Sequence, residues 1–157
     1  MTSPELREWP PSDPGYRRSE VSAVVGSGDA VWERVTRDVL RWRVKTASGF
    51  AVDPTGPVSQ GDRVIVTARL LTVTIVEPVE VVAVVEELDR VGFAYRTMPG
   101  HPVSGEEAFI VHRRGEEVRL TVRSLTRAAP QQPWRFLYPL LRIAQRIARR
   151  RYLRSLR

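Results

Sequence analysis

Gly92-Phe93-Ala94-Tyr95-Arg96-Thr97-Met98-Pro99-Gly100-His101-Pro102-Val103-Ser104-Gly105-Glu106-Glu107 joins an aromatic strand, a Pro-Gly-His-Pro turn and the start of a second strand. Side chains alternate along a strand, so Phe93, Tyr95 and Thr97 share one face and Ala94, Arg96 and Met98 the other. The Phe-Tyr-Thr face is the interior one. Prolines at 99 and 102 cannot continue a hydrogen-bonded ladder, so the chain reverses there and runs back from Glu106 to Arg113.

Outward from this corner the chain is rich in β signals. Arg43 to Phe50, Arg63 to Leu70, Thr72 to Glu87, Val91 to Met98, Glu106 to Arg113 and Glu117 to Thr126 are crowded with Val, Ile, Thr and aromatics. They are separated by turn-forming stretches such as Asp53-Pro54-Thr55-Gly56-Pro57, Gly61-Asp62, Asp89-Arg90 and Arg114-Gly115. Short connections imply an antiparallel meander, and Pro78 marks a bulge or a break in the third of these runs. Before the meander, Arg18 to Val25 reads as a strand and Gly26-Ser27-Gly28 as a turn into a helix reaching Leu40, with Asp29 placed to cap it. The two glycines of that turn are not a dinucleotide fingerprint, because Val31 stands at the third glycine position and no βαβ unit follows.

After Gln131-Gln132-Pro133-Trp134, a last helix runs from Pro139 to about Ser155. Leu140, Leu141, Ile143, Ala144, Ile147 and Ala148 form a stripe expected to bury against the sheet, with Arg142, Arg146, Arg149 and Arg150 gathered on the other side. The predicted architecture is α+β: a curved antiparallel sheet of six to seven strands wrapped around a long C-terminal helix, with one short helix after the first strand. This is the helix-grip arrangement. Residues 1–15, holding Pro4, Pro10, Pro11 and Pro14, read as a flexible segment before a single domain spanning 16–157.

Four stretches resemble the DUF1990 family of domains of unknown function, which belongs to the Bet v 1-like or START-like (SRPBCC) superfamily. They are Val25 to Gly28, Leu40-Arg41-Trp42, Gly92 to Phe109, and Tyr138-Pro139-Leu140 through Gln145-Arg146. The chain departs from the family pattern at Arg96, usually a small residue, and at Thr126-Arg127-Ala128, usually Ser-Arg-Pro. The resemblance implies a cavity between sheet and helix that takes an apolar or amphipathic ligand.

Several residues of the opening block are candidates for chemistry. Phe93, Tyr95 and Thr97 would face the interior, where the Tyr95 hydroxyl needs either a backbone partner or a ligand. His101, between Gly100 and Pro102, is the acid–base candidate; the alternative is a backbone hydrogen bond that ties down the loop. Glu106 and Glu107 are adjacent and must point to opposite faces, so they form no catalytic dyad, and only one of them can reach the cavity.

The 157 residues carry no cysteine, which excludes disulfides and thiol catalysis, and the two histidines, His101 and His112, form no metal motif. No metal or cofactor is implied. Apolar runs such as Val81 to Val85 fall far short of the roughly 18 residues that cross a bilayer. The N-terminal residues have no apolar leader pattern, which leads to an expected cytoplasmic location. The net charge of +7 is segregated: eleven arginines and no acid lie between Val118 and Arg157, while the preceding residues carry a net charge of −4. An Arg-for-Lys bias explains this as well as phosphate recognition does, and no aromatic or RNP-like motif supports nucleic acid. Three functions stay open: a small-molecule binding module, a cyclase, isomerase or hydrolase using His101, Tyr95 and Glu107, and docking of the Arg-rich C-terminal helix on anionic lipid, RNA or protein. The sequence sets no oligomeric state.

Overall fold

A computed structural model describes residues 1–11, 13–70, 72–130 and 133–157. Seven strands, β1 (Arg17–Ser27), β2 (Phe50–Asp53), β3 (Arg63–Leu70), β4 (Val73–Glu87), β5 (Arg90–Thr97), β6 (Val103–Arg114) and β7 (Glu117–Ala128), form one antiparallel sheet. Its spatial order is β1-β7-β6-β5-β4-β3-β2, so β2 to β7 are a meander and β1 closes on the last strand. Three helices, α1 (Asp29–Val39), α2 (Arg43–Thr46) and α3 (Trp134–Tyr152), lie on the concave side.

Register places the aromatic block as its alternation predicts. Phe93 pairs with Phe109 and Tyr95 with Glu107 across β5 and β6, and the next row reaches Val122 and Ser124 on β7. Phe93, Tyr95, Phe109 and Val122, with Val35 and Val39 of α1, belong to the core. Glycine is required twice here because the backbones approach closely. A Cβ on Gly92 would sit 2.2 Å from the Phe109 carbonyl oxygen, and one on Gly105 would sit 1.8 Å from that of Leu125.

Three expectations about elements are corrected. Arg43 to Phe50 is not a strand: its first four residues form α2, entered through Trp42 in the left-handed conformation (φ 61°). The chain must reverse sharply after α1, and burial of the indole, 2% exposed, offsets the roughly 1–2 kcal/mol that this conformation costs. Pro78 neither bulges nor breaks β4. It pairs with Ile65, and its carbonyl accepts from Met98 N–H on the other side, where β5 has ended at Thr97. A strand residue's N and C=O point the same way, so the missing N–H costs no bond with β3. The β4 irregularity lies instead between Val81 and Ala83. Asp29 does not cap α1: Gly28 holds the N-cap position, and the Asp29 carboxylate accepts from Arg113 Nη1 at 2.6 Å.

Residues 1–11 are not a free tail. They lie across the convex face, where the Arg123 guanidinium donates to the carbonyls of Thr2, Ser3 and Arg7 and Arg90 donates to those of Pro4 and Leu6. Thr2 and Trp9 are buried, with Arg18 stacked 3.9 Å over the Trp9 ring. Pairing of main-chain carbonyls with guanidinium forks, rather than residue composition, holds this proline-rich stretch in place.

Candidate functional site

The left-handed turn at Trp42 aims the next helical turn inward, and Lys45 enters the centre of the concave face with 4% exposure. It is the chain's one lysine. Its ammonium donates to the Tyr152 hydroxyl at 2.7 Å and lies 3.3 Å from Glu107 Oε1. Four rings surround it, with centroids at 4.6 Å (Phe50), 5.0 Å (Tyr152), 5.4 Å (Tyr95) and 5.9 Å (Phe109). Tyr95 donates its hydroxyl proton to Glu107 Oε1 at 2.5 Å, and Ser124 donates to Oε2 at 3.2 Å.

Electrostatics follow from this packing. Burial disfavours the Lys45 charge, but Tyr152, Tyr95, Glu107 and Glu77 outweigh it and raise the ammonium pKa above its ordinary range. Burial raises the Tyr152 phenol, and burial together with the neighbouring Glu107 charge raises that of Tyr95. Glu77, inward-facing on β4 two residues before Val79, is raised by burial, partly offset by Lys45. Lys45 is therefore an internal cation held charged in an aromatic cage, and Tyr95 and Tyr152 are neutral hydroxyls.

Tyr152 also sets how α3 sits. Because its phenol must reach Lys45, the helix rotates so that Ala148 and Tyr152 meet the core, followed by Leu153 and Leu156. Helix α3 contacts β6 and β7. Beside it, the inward side chains of β2 to β4, Phe50, Ala68, Ile75 and Glu77, are only partly covered. They form a partly covered strip, apolar except for the Glu77 carboxyl, that reaches the cage at Phe50.

The family model described as "Domain of unknown function (DUF1990)" matches residues 2–155. The chain belongs to the DUF1990 family. A UPF0548 protein of Deinococcus radiodurans is 35% identical, the match spanning 91% of this chain and 78% of that protein. Among solved structures, a hypothetical protein from Helicobacter pylori, jhp0584, aligns over 99% of this chain and 96% of its own with a TM-score of 0.66 at 14% identity. Ginseng major latex-like protein 151 from Panax ginseng aligns over 87% and 98% with a TM-score of 0.51 at 17% identity. These neighbours carry the fold: this DUF1990 domain is a Bet v 1-like helix grip.

The candidates named from sequence separate within the DUF1990 domain. Tyr95 and Glu107 come together at the cage, while Phe93 is fully buried against Trp42, Tyr95 and Phe109. Glu106 does not face the interior. It points to the convex side, where the backbone N–H of Thr2 donates to it at 2.6 Å and the Thr2 hydroxyl also donates, so it anchors the N-terminal segment. The Thr97 hydroxyl is taken by Gly105 N–H at 3.0 Å.

His101 lies in the turn between β5 and β6. Burial, reinforced by nearby Lys45, lowers its pKa to about 3, and Nδ1 accepts from Val103 N–H at 3.1 Å. It is a neutral imidazole that ties down the turn. The arginines also divide: Arg146 and Arg150 are exposed, whereas Arg142 and Arg149 are partly buried toward the sheet. The stripe expected to bury splits likewise, Ala148 packing inward while Leu140, Ile143 and Ile147 remain exposed. Sequence reasoning passed over Lys45 and Tyr152. The available signal was the retention of a single lysine in a chain that otherwise uses arginine.

Proposed function

We propose that this domain binds a small, largely apolar molecule bearing a hydrogen-bond acceptor, between α3 and the partly covered strip of β2 to β4 beside the Lys45 cage. The Tyr152 hydroxyl carries the reading. It is 2% exposed, its oxygen accepts from Lys45, and its own proton has no acceptor among the described residues. An unmet buried hydroxyl costs about 1–3 kcal/mol, which a ligand carbonyl, ether or hydroxyl oxygen would remove. Phe50, Ala68 and Ile75 supply the apolar wall, and Glu77 offers a second polar contact. The charged form of Lys45 argues for binding over covalent catalysis, since a protonated amine has no lone pair with which to attack a carbonyl.

The test is a ligand panel of fatty acids, polyketides and isoprenoids read by native mass spectrometry and thermal shift. A ligand at about 100 times its Kd would stabilise the fold by roughly 2.7 kcal/mol. Ile75→Trp puts a bulky ring on the strip and is expected to abolish that stabilisation. A panel that shifts nothing, or a ligand whose binding ignores Ile75→Trp, refutes the reading. It includes a cytoplasmic location, which cell fractionation tests: recovery outside the cytoplasmic compartment counts against it.

A further inference from the structure

Helix α3 has two apolar faces and only one of them is used. With Tyr152 turned to the sheet, about 100° of rotation per residue puts Phe136, Leu140, Ile143 and Ile147 in a strip roughly 60° wide on the far side of the helix. Their exposures are 82%, 64%, 55% and 50%. By the same rotation Arg135, Arg146 and Arg150 flank the strip on one side and Arg151 on the other, and all four are exposed. The helix contains no acidic residue.

Among the described residues, the ion pairs engage cations between Arg7 and Arg123, and none engages an arginine of α3. Arg96, Arg113 and Arg119 each meet a carboxylate within 2.6 Å. Unpaired positive charge and unburied apolar surface therefore coincide on one helix face. No described helix is long and apolar enough to cross a bilayer, so a membrane contact made by α3 would lie in the surface plane.

We propose that α3 docks on an anionic membrane surface, with Phe136, Leu140, Ile143 and Ile147 among the acyl chains and Arg135, Arg146, Arg150 and Arg151 at the lipid phosphates. Charge selects this occupant. A second copy packed face to face would set arginine against arginine with no acid in either helix. RNA would engage the arginines but leave three aliphatic side chains in water, whereas a bilayer takes up both parts of the pattern.

Vesicle co-sedimentation of the full chain decides the matter, using equimolar phosphatidylglycerol and phosphatidylcholine against phosphatidylcholine alone. Binding to the mixed vesicles only is expected, weakening as salt rises. Arg146→Gln and Arg150→Gln should each weaken it roughly fivefold, and Ile143→Ser and Ile147→Ser roughly tenfold each. All four positions are exposed, so melting curves of these variants should match the parent. The proposal is overturned by absence of binding to the mixed vesicles, by equal binding to neutral ones, or by binding that none of the four changes weakens. Tighter binding to polyuridylate than to vesicles, or a dimer abolished by Ile143→Ser, assigns the face to another occupant and overturns it equally.

Discussion

Lys45 shows how a single buried charge can be tolerated. Removing an ammonium from water is costly, and here the Glu107 carboxylate, the Tyr152 oxygen and four ring faces replace the lost hydration. Lys45→Met keeps the stem but strips Glu107 of its cation, and a loss of about 3–5 kcal/mol is expected in denaturant unfolding. Lys45→Met combined with Glu107→Gln removes both charges and should cost clearly less than the sum of the single changes. Additive losses would mean that the two do not act as a pair. His101 supplies a second measurement. Its ordinary value is 6.5 and its folded value about 3, so the folded state resists protonation. The resulting stability is fully present above pH 6.5 and is lost as pH falls toward 3. His101→Asn should flatten the dependence of unfolding free energy on pH across that window by an amount on the order of a few kcal/mol. Parallel curves for the two proteins would show that the imidazole titrates normally.

Elements were legible where one rule acted alone. Alternation placed Phe93 and Tyr95 inward, and turn chemistry marked the hairpins β4–β5, β5–β6 and β6–β7. The same parity argument separated Glu106 from Glu107, but both strand faces there are apolar, so only the register could show which one meets Tyr95. Legibility failed where tertiary contacts overrode local preference. Arg43-Val44-Lys45-Thr46 has strand-like residues yet forms α2, because the reversal at Trp42 leaves it a single turn in which to bring Val44 and Lys45 into the core. In α3 apolar residues occupy nearly the whole circumference outside the arginines, so hydrophobic spacing alone could not fix its rotation. The Lys45 to Tyr152 bond does so, linking residues 107 positions apart.

At the scale of the molecule, a seven-stranded sheet has two faces to cover and three helices cover one. The convex face carries Ala94, Ala108 and Ile110, all fully buried, and Arg123, which is 2% exposed and sits in register with Ala108. Residues 1–11 provide the lid there, gripped through five main-chain carbonyls by Arg90 and Arg123. This covering therefore belongs to the fold, and its removal is expected to lower stability. Loss of Trp9 burial and of the carbonyl contacts should cost roughly 3 kcal/mol. For a chain of this length that is a fall in Tm of roughly 10 °C. Deleting residues 1–11 should also expose the apolar row and increase binding of a hydrophobic dye, whereas Arg123→Ala, with the segment still present, should fall between the two and make residues 1–11 sensitive to protease. A deletion variant that melts within about 2 °C of the parent and takes up no more dye would show that the segment only rests on the sheet, and that the small side chains of its outer face suffice without cover.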